Sequence, residues 1–256
     1  MTPPTARQPP VAVFDLDGTL ADTAPDLVAS LNAVLATEGL APLPLAKARD
    51  MIGAGGRVLI GRGLEAEGLE VTPARLEEMY HALLAHYAEH LVDRSELFPG
   101  VVEALDALER AGFALAVCTN KIEAHSVRLL EALGLGGRFA AVCGRDSFPF
   151  YKPDPRHLTL TIERAGGEPG RAVMVGDSRT DIATAKAAGV PVVAVTFGYT
   201  DTPVGELDPD RVVDDFADVV EAIQDLMRGR PEASRTPGKG GAMVGATGIE
   251  PVTLRV

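Results

Sequence analysis

Asp15 and Asp17 sit at the end of an otherwise apolar run, VAVFDLDGTL (residues 11–20). A buried charge is costly unless it is paired or bound to a metal. Two like charges at the end of an apparent core strand therefore need a reason. Two positions apart in an extended chain, they project to the same side. Gly18 permits a tight turn or the close approach of a ligand, and Thr19 adds a hydroxyl. A strand ending in an Asp-Gly turn accounts for Asp17 and Gly18 and leaves Asp15 unexplained. A divalent cation would neutralise converging carboxylates. Hard oxygen donors with no His or Cys nearby favour Mg²⁺.

The elements that must hold these groups alternate in type. Short apolar runs recur at 11–16, 113–120, 140–144, 172–177, 190–196 and 211–215. Near-continuous hydrophobicity predicts strands buried on both faces of a parallel sheet. Helical patterns over 101–112, 126–136 and 181–189 lie between them, each ending in glycine. Strand–helix alternation implies right-handed crossovers and an α/β, doubly wound parallel sheet with a Rossmann-like core. Ligands in such sheets sit at the carboxyl ends of the strands. Asp15 with Asp17, Thr119 with Asn120, and Asp177 all fall at such ends.

Between residues 21 and 98 no strand pattern stands out. The helical stretches 24–39, 57–68 and 73–91 are far more than one crossover needs. They predict an inserted all-helical cap over 21–92, with the α/β core formed by 11–20 and 93–229. Residues 1–10 and 230–256 lack periodicity and are expected to be disordered. His81, His86 and His90 lie at helical spacing, but with no carboxylate partner at hand they read as partly exposed cap residues. GAGGRV (53–58) starts like a dinucleotide fingerprint. Val58 holds the third glycine's place and no strand precedes it, so that reading is rejected. Asp22 reads as the N-cap of the first insert helix, and for Asp177 the competing structural role is a helix N-cap.

Composition narrows the function. A net charge of −12 argues against nucleic acid. No run reaches the ~18 apolar residues of a membrane span, and the first ten residues have no apolar signal core. A cytoplasmic protein without a membrane partner, monomeric or homodimeric, is expected. Cys118 and Cys143, each in an apolar run, read as buried reduced thiols.

Four segments, taken in order, resemble the motifs of the haloacid dehalogenase-like hydrolases. DLDGT (15–19) is similar to the first, VCTN (117–120) to the second, KPDP (152–155) to the third and GDSRTD (176–181) to the fourth. The resemblance covers roughly residues 11–225. It implies a Mg²⁺-dependent phosphomonoesterase acting on a small phosphorylated metabolite. Asp15 would be the nucleophile that splits hydrolysis into two steps. Asp17 would be the general acid, then the base. Thr119, Thr19 and Asn120 would hold phosphate oxygens, and Lys152 would offset charge. Asp15, Asp17, Asp177 and Asp181 would serve the metal directly or in support.

The insert's position resembles the cap of the branch containing phosphoglycolate phosphatases and β-phosphoglucomutases. Such a cap would exclude water and read the leaving group. Arg57 and Arg62 are the candidates there for gripping a substrate carboxylate, against the plainer reading of solvated helix arginines. The expected substrate is 2-phosphoglycolate. The alternatives are a sugar phosphate such as N-acetylmuramate 6-phosphate, pyrophosphate, or phosphoryl transfer back to a sugar. A catalytically silent binding module would be expected to lack a motif residue, and none is missing.

Overall fold

The computed structural model describes residues 8–49, 52, 56–65, 68–69, 71–200 and 202–228. The terminal segments 1–7 and 230–256 expected to be disordered, and Gly53 and Gly55 of the rejected fingerprint, lie outside the described residues. Along the chain come β1 (Val11–Phe14), β2 (Ala21–Asp22), α1 (Ala24–Thr37), α2 (Leu45–Arg49), α3 (Gly56–Glu65), α4 (Pro73–Glu89) and β3 (Glu96–Leu97). Then follow α5 (Val101–Arg110), β4 (Ala114–Cys118), α6 (Glu123–Ala132), β5 (Ala141–Cys143), α7 (Pro155–Arg164), β6 (Ala172–Gly176), α8 (Arg179–Ala187), β7 (Val192–Val195), β8 (Arg211–Val213) and α9 (Val219–Arg228).

The main sheet is six-stranded and parallel, in the order β5-β4-β1-β6-β7-β8. Its central strands are fully buried because both faces are covered. Ala12 and Phe14 of β1 join one core cluster with Leu105, Leu129 and Ile223, while Val11 and Val13 join the other with Leu158 and Ile182. The period-2 alternation is present, but both faces are apolar, so the sequence reads as a continuous run. Asp15, Thr119 and Asp177 follow the last residues of β1, β4 and β6 at the same end of the sheet.

The helices between β2 and β3 bury a third cluster of their own, including Leu31, Leu35, Ile60, Met79 and Leu83. The chain enters and leaves this helical unit through an unexpected element. Ala21–Asp22 pairs antiparallel with Glu96–Leu97, which corrects the reading that residues 21–98 contain no strand. Two residues are too few to show alternation, so the pattern had nothing to reveal. A buried carboxylate clamps the same junction. Asp26 Oδ2 accepts from the Arg94 N–H, the Ser95 N–H and the Ser95 hydroxyl at 3.0, 2.8 and 2.7 Å.

Cys118 and Cys143 are buried free thiols. Burial pushes the Cys118 thiol up to about 12, which keeps it protonated and inert. His81 is exposed, whereas His86 and His90 are half-buried. His86 Nδ1 is hydrogen-bonded to the Ser30 hydroxyl and His90 Nδ1 to Asp93.

Candidate active site

Each acidic group is aimed by a turn that the local sequence dictates. After β1, Asp15 Oδ1 accepts from the Leu16 N–H at 2.7 Å, and Gly18 takes the left-handed φ of 83°. After β6, the chain starts α8 with Ser178 as N-cap. Ser178 and Asp181 form a reciprocal capping box. The N-cap role weighed for Asp177 therefore belongs to Ser178, and Asp177 is left to face the site. Asp177 Oδ1 accepts from the Thr19 hydroxyl at 2.7 Å, and its Oδ2 accepts from the Tyr199 N–H at 2.6 Å.

Asp15, Asp177 and Asp181 come together at the sheet's end, with one carboxylate oxygen from each within 4.8 Å of the others. Asp15 is 9 % exposed, Asp177 2 % and Asp181 0 %. The compensating cation is Lys152, whose Nζ lies 2.6 Å from Asp181 and 3.0 Å from Asp15. One ammonium among three buried carboxylates leaves excess negative charge. Two unit charges 4 Å apart repel by about 4 kcal/mol even at an effective dielectric of 20. The carboxyls respond. Burial, then Asp181, push Asp15 up to about 6 against the pull of Lys152. Burial, with Asp181 and Asp15 adding to it, raises Asp177 well above its ordinary value. Buried oxygen donors carrying uncompensated charge could hold a hard divalent cation.

Asp17 stands apart from this cluster. Its Oδ1 accepts from the Thr23 hydroxyl at 2.7 Å, and Lys121 Nζ reaches Oδ1 and Oδ2 at 2.8 and 3.0 Å. Asp15 and Asp17 also line one small cavity, of about 100 Å³, between the sheet and the helical unit. Thr119, Asn120 and Lys121 contribute to its floor, and Leu59, Tyr80, Leu83 and Tyr87 to its roof.

The haloacid dehalogenase-like hydrolase family model matches residues 12–195. The chain belongs to that family. It is 52% identical over 220 residues to a phosphoglycolate phosphatase of Mesorhizobium japonicum, covering 86% of this chain and 97% of that protein. A phosphoglycolate phosphatase of Caulobacter vibrioides is 46% identical over 218 residues, covering 85% of this chain and 92% of that protein. Among solved structures, one described as a predicted phosphoglycolate phosphatase from Haemophilus somnus superposes with a TM-score of 0.78 at 34% identity, covering 85% of this chain and 99% of that chain.

Within this haloacid dehalogenase-like frame the other expected residues take varied positions. The Thr119 hydroxyl accepts from the Lys121 N–H at 3.2 Å, at the mouth of β4. The Thr19 hydroxyl is committed to Asp177 and not turned to the cavity. Asn120 Nδ2 donates to the Lys152 carbonyl at 3.0 Å, tying the second motif to the third. Asp181 holds Lys152 and the N-terminus of α8 at once. Arg57 and Arg62 are not among the cavity's lining residues. Arg57 is engaged by Glu77 at 2.5 and 2.8 Å and stacks 3.8 Å above Tyr80. Asp22 accepts from the Ala24 N–H at 3.3 Å, although the N-cap position itself is Thr23.

Three neighbours escaped the sequence reading. Lys121 pairs with Asp17. His157 Nδ1 accepts from the Lys152 N–H at 3.2 Å, and burial with the Lys152 charge holds that imidazole down to about 4, hence neutral and able to accept. Tyr199 joins the acidic cluster to the helical unit. Its N–H donates to Asp177, its hydroxyl donates to Asp22 at 2.5 Å, and the same oxygen accepts from the Ala24 N–H at 2.9 Å.

Gly18 shows how tightly the cluster is built. A Cβ there would lie 2.4 Å from Asp177 Oδ2, at a φ that L side chains rarely adopt. Gly18→Ala is expected to displace Asp177 and lower kcat/KM by ~10²-fold, the cost of misplacing a catalytic group by about 1 Å. Phosphate-release kinetics check this, and a wild-type kcat/KM would show that Asp177 has room to yield.

Proposed function

We propose that the chain hydrolyses small phosphomonoesters, with 2-phosphoglycolate as its substrate, through a phosphoryl group carried on Asp15. The observation that carries this reading is the clustering of Asp15, Asp177 and Asp181, with Lys152 paired to Asp15 and Asp181, beside a cavity that Asp15 and Asp17 line. With a proton taken from solvent onto Asp17 Oδ2, the oxygen that Thr23 does not hold, an Asp15 oxygen attacks phosphorus while the ester oxygen leaves with that proton. Asp17, now a carboxylate, takes a proton from water as that water attacks the aspartyl-phosphate. Phosphate leaves and Asp15 is regenerated. Lys152 and Thr119 hold the phosphoryl oxygens and offset their charge.

Mg²⁺, held by the carboxylates of Asp15 and Asp177 with Asp181 behind them, would supply positive charge against the phosphate. Asp17, which the sequence also nominated as a ligand, is paired with Lys121 and is assigned here to proton transfer. The helical unit over 21–92 acts as the cap, excluding water and meeting the leaving group. Among the described residues no helix is long and apolar enough to cross a membrane, and a cytoplasmic setting fits a metabolite substrate.

The substrate assignment draws on the relatives named phosphoglycolate phosphatase and on the small cavity. A panel of phosphate esters assayed for phosphate release tests it. The expected kcat/KM for 2-phosphoglycolate is on the order of 10⁴ M⁻¹s⁻¹ or more, well above values for hexose phosphates and pyrophosphate. A sugar phosphate turned over faster would overturn the assignment. Return of the phosphoryl group to sugar would make the chain a transferase.

A further inference from the structure

The proposed substrate carries two anionic groups, and the phosphate accounts for only one. Its carboxylate needs a partner inside the cavity, since an unpaired buried charge is costly. The described roof residues, among them Leu59, Leu83 and Leu84, are apolar or aromatic and offer no charge. The basic groups that line the cavity, Lys121, His125 and Arg145, all come from the sheet side. Arg145 is drawn aside over the Tyr151 ring, 4.7 Å from its centroid. Lys121 is 8 % exposed and touches Asp17, two residues from the proposed nucleophile.

An ammonium has three N–H donors. The two Asp17 oxygens take two of them, and the third is directed to Tyr87. The Tyr87 ring centroid is 4.5 Å from the ammonium. Tyr87 is 2 % exposed and is one of the residues lining the cavity; its buried hydroxyl interacts with Lys121, and no acceptor for its own proton is found among the described residues. A buried hydroxyl whose proton lacks an acceptor is uncommon unless something else fills the place.

We infer that Lys121 and Tyr87 form the subsite that selects an anionic leaving group, the Lys121 ammonium supplying the opposite charge and the Tyr87 hydroxyl donating to the substrate's carboxylate while Lys121 keeps Asp17. This rests on the reading that the leaving group carries a carboxylate. It moves the carboxylate-reading role from the helix arginines to the loop after β4. One side chain then orients the proton donor and recognises the group that receives the proton. A substrate lacking the carboxylate leaves that charge and that hydroxyl proton unmet, a form of discrimination that buried polar groups make strong.

The test compares 2-phosphoglycolate with 2-hydroxyethyl phosphate, the analogue in which a hydroxymethyl group replaces the carboxylate, in wild type, Lys121→Gln and Tyr87→Phe. The readout is the ratio of the two kcat/KM values. Any loss that arises only from misplacing Asp17 lowers both substrates alike and cancels in the ratio. The wild type should favour 2-phosphoglycolate. In Lys121→Gln the ratio should fall roughly 10–100-fold, the range for a hydrogen bond to a charged group, and the change should sit mainly in KM. In Tyr87→Phe it should fall several-fold, and this milder change decides the matter if Lys121→Gln does not fold. Parallel losses with an unchanged ratio would overturn the subsite and leave the phosphoglycolate reading standing. A wild type that does not hydrolyse 2-phosphoglycolate would overturn that reading and the subsite with it.

Discussion

Asp15→Asn is expected to form no phosphoryl adduct and to lose at least ~10⁴-fold in kcat, the scale on which enzymes respond to loss of a nucleophile. The substitution keeps the side chain's shape and removes the attacking oxygen's charge. Asp17→Asn should behave differently. It withdraws a proton donor and acceptor, typically worth ~10²–10⁴-fold, and leaves the nucleophile in place. With p-nitrophenyl phosphate the leaving group needs no proton, so Asp15 should still be phosphorylated. Breakdown of the aspartyl-phosphate still needs a base, so the phosphoenzyme should accumulate. Rapid quench with intact-mass measurement detects the adduct, and peptide mapping places it. An adduct on Asp17 in the wild type, or one retained in Asp15→Asn, would reverse the two roles. The surroundings of the two side chains differ. Asp15 faces Lys152 and the acidic cluster, whereas Asp17 faces Lys121 and Thr23.

What the sequence could show and what it could not divides along a physical line. Asp15, Thr119 and Asp177 were readable because each is a polar residue at the end of an apolar run, and strand ends are where a parallel sheet exposes groups. Lys152 was readable only through its motif. Nothing in its own neighbourhood says that it will be buried against a residue 29 positions away. Lys121 pairs with Asp17 across 104 positions, and Tyr199 reaches Asp22 across 177. Contacts of that separation leave no periodic trace. The pairing of Arg57 was hidden for the same reason, since Glu77, its partner, stands on a different helix. α7 is a different kind of omission. Asp154 at the N-cap, Pro155 at the first turn and Gly166 past the end are local signals that were present to be read.

Chelation should abolish phosphate release, and Mg²⁺ should restore it. The structure argues this from energy as well as from chemistry. Raised carboxyl pKa values mean that the metal-free fold holds protons the unfolded chain would release. The cost is absent below the ordinary carboxylate value. It grows as pH rises through that value, and for Asp15 it is fully developed above about 6. For Asp15 alone the displacement to about 6 corresponds to roughly 3 kcal/mol of lost stability at neutral pH. A bound cation relieves that cost, the relief being part of its apparent affinity, and its total stabilisation is about 2.7 kcal/mol at a concentration 100 times the apparent Kd. The thermal midpoint should therefore rise with Mg²⁺, and rise more at pH 7.5 than at pH 5, where protons already neutralise the cluster. Ca²⁺ should stabilise the fold and restore activity poorly, because its looser, higher coordination holds the reacting groups less strictly. Asp177→Asn removes one repelling charge, so it should melt higher than the metal-free wild type, respond little to Mg²⁺ and release little phosphate. Calorimetry in chelator and in Mg²⁺ at the two pH values, beside activity assays, checks each step. Full activity in chelator, or an undiminished Mg²⁺ response in Asp177→Asn, would mean that these carboxylates are not the cation's ligands.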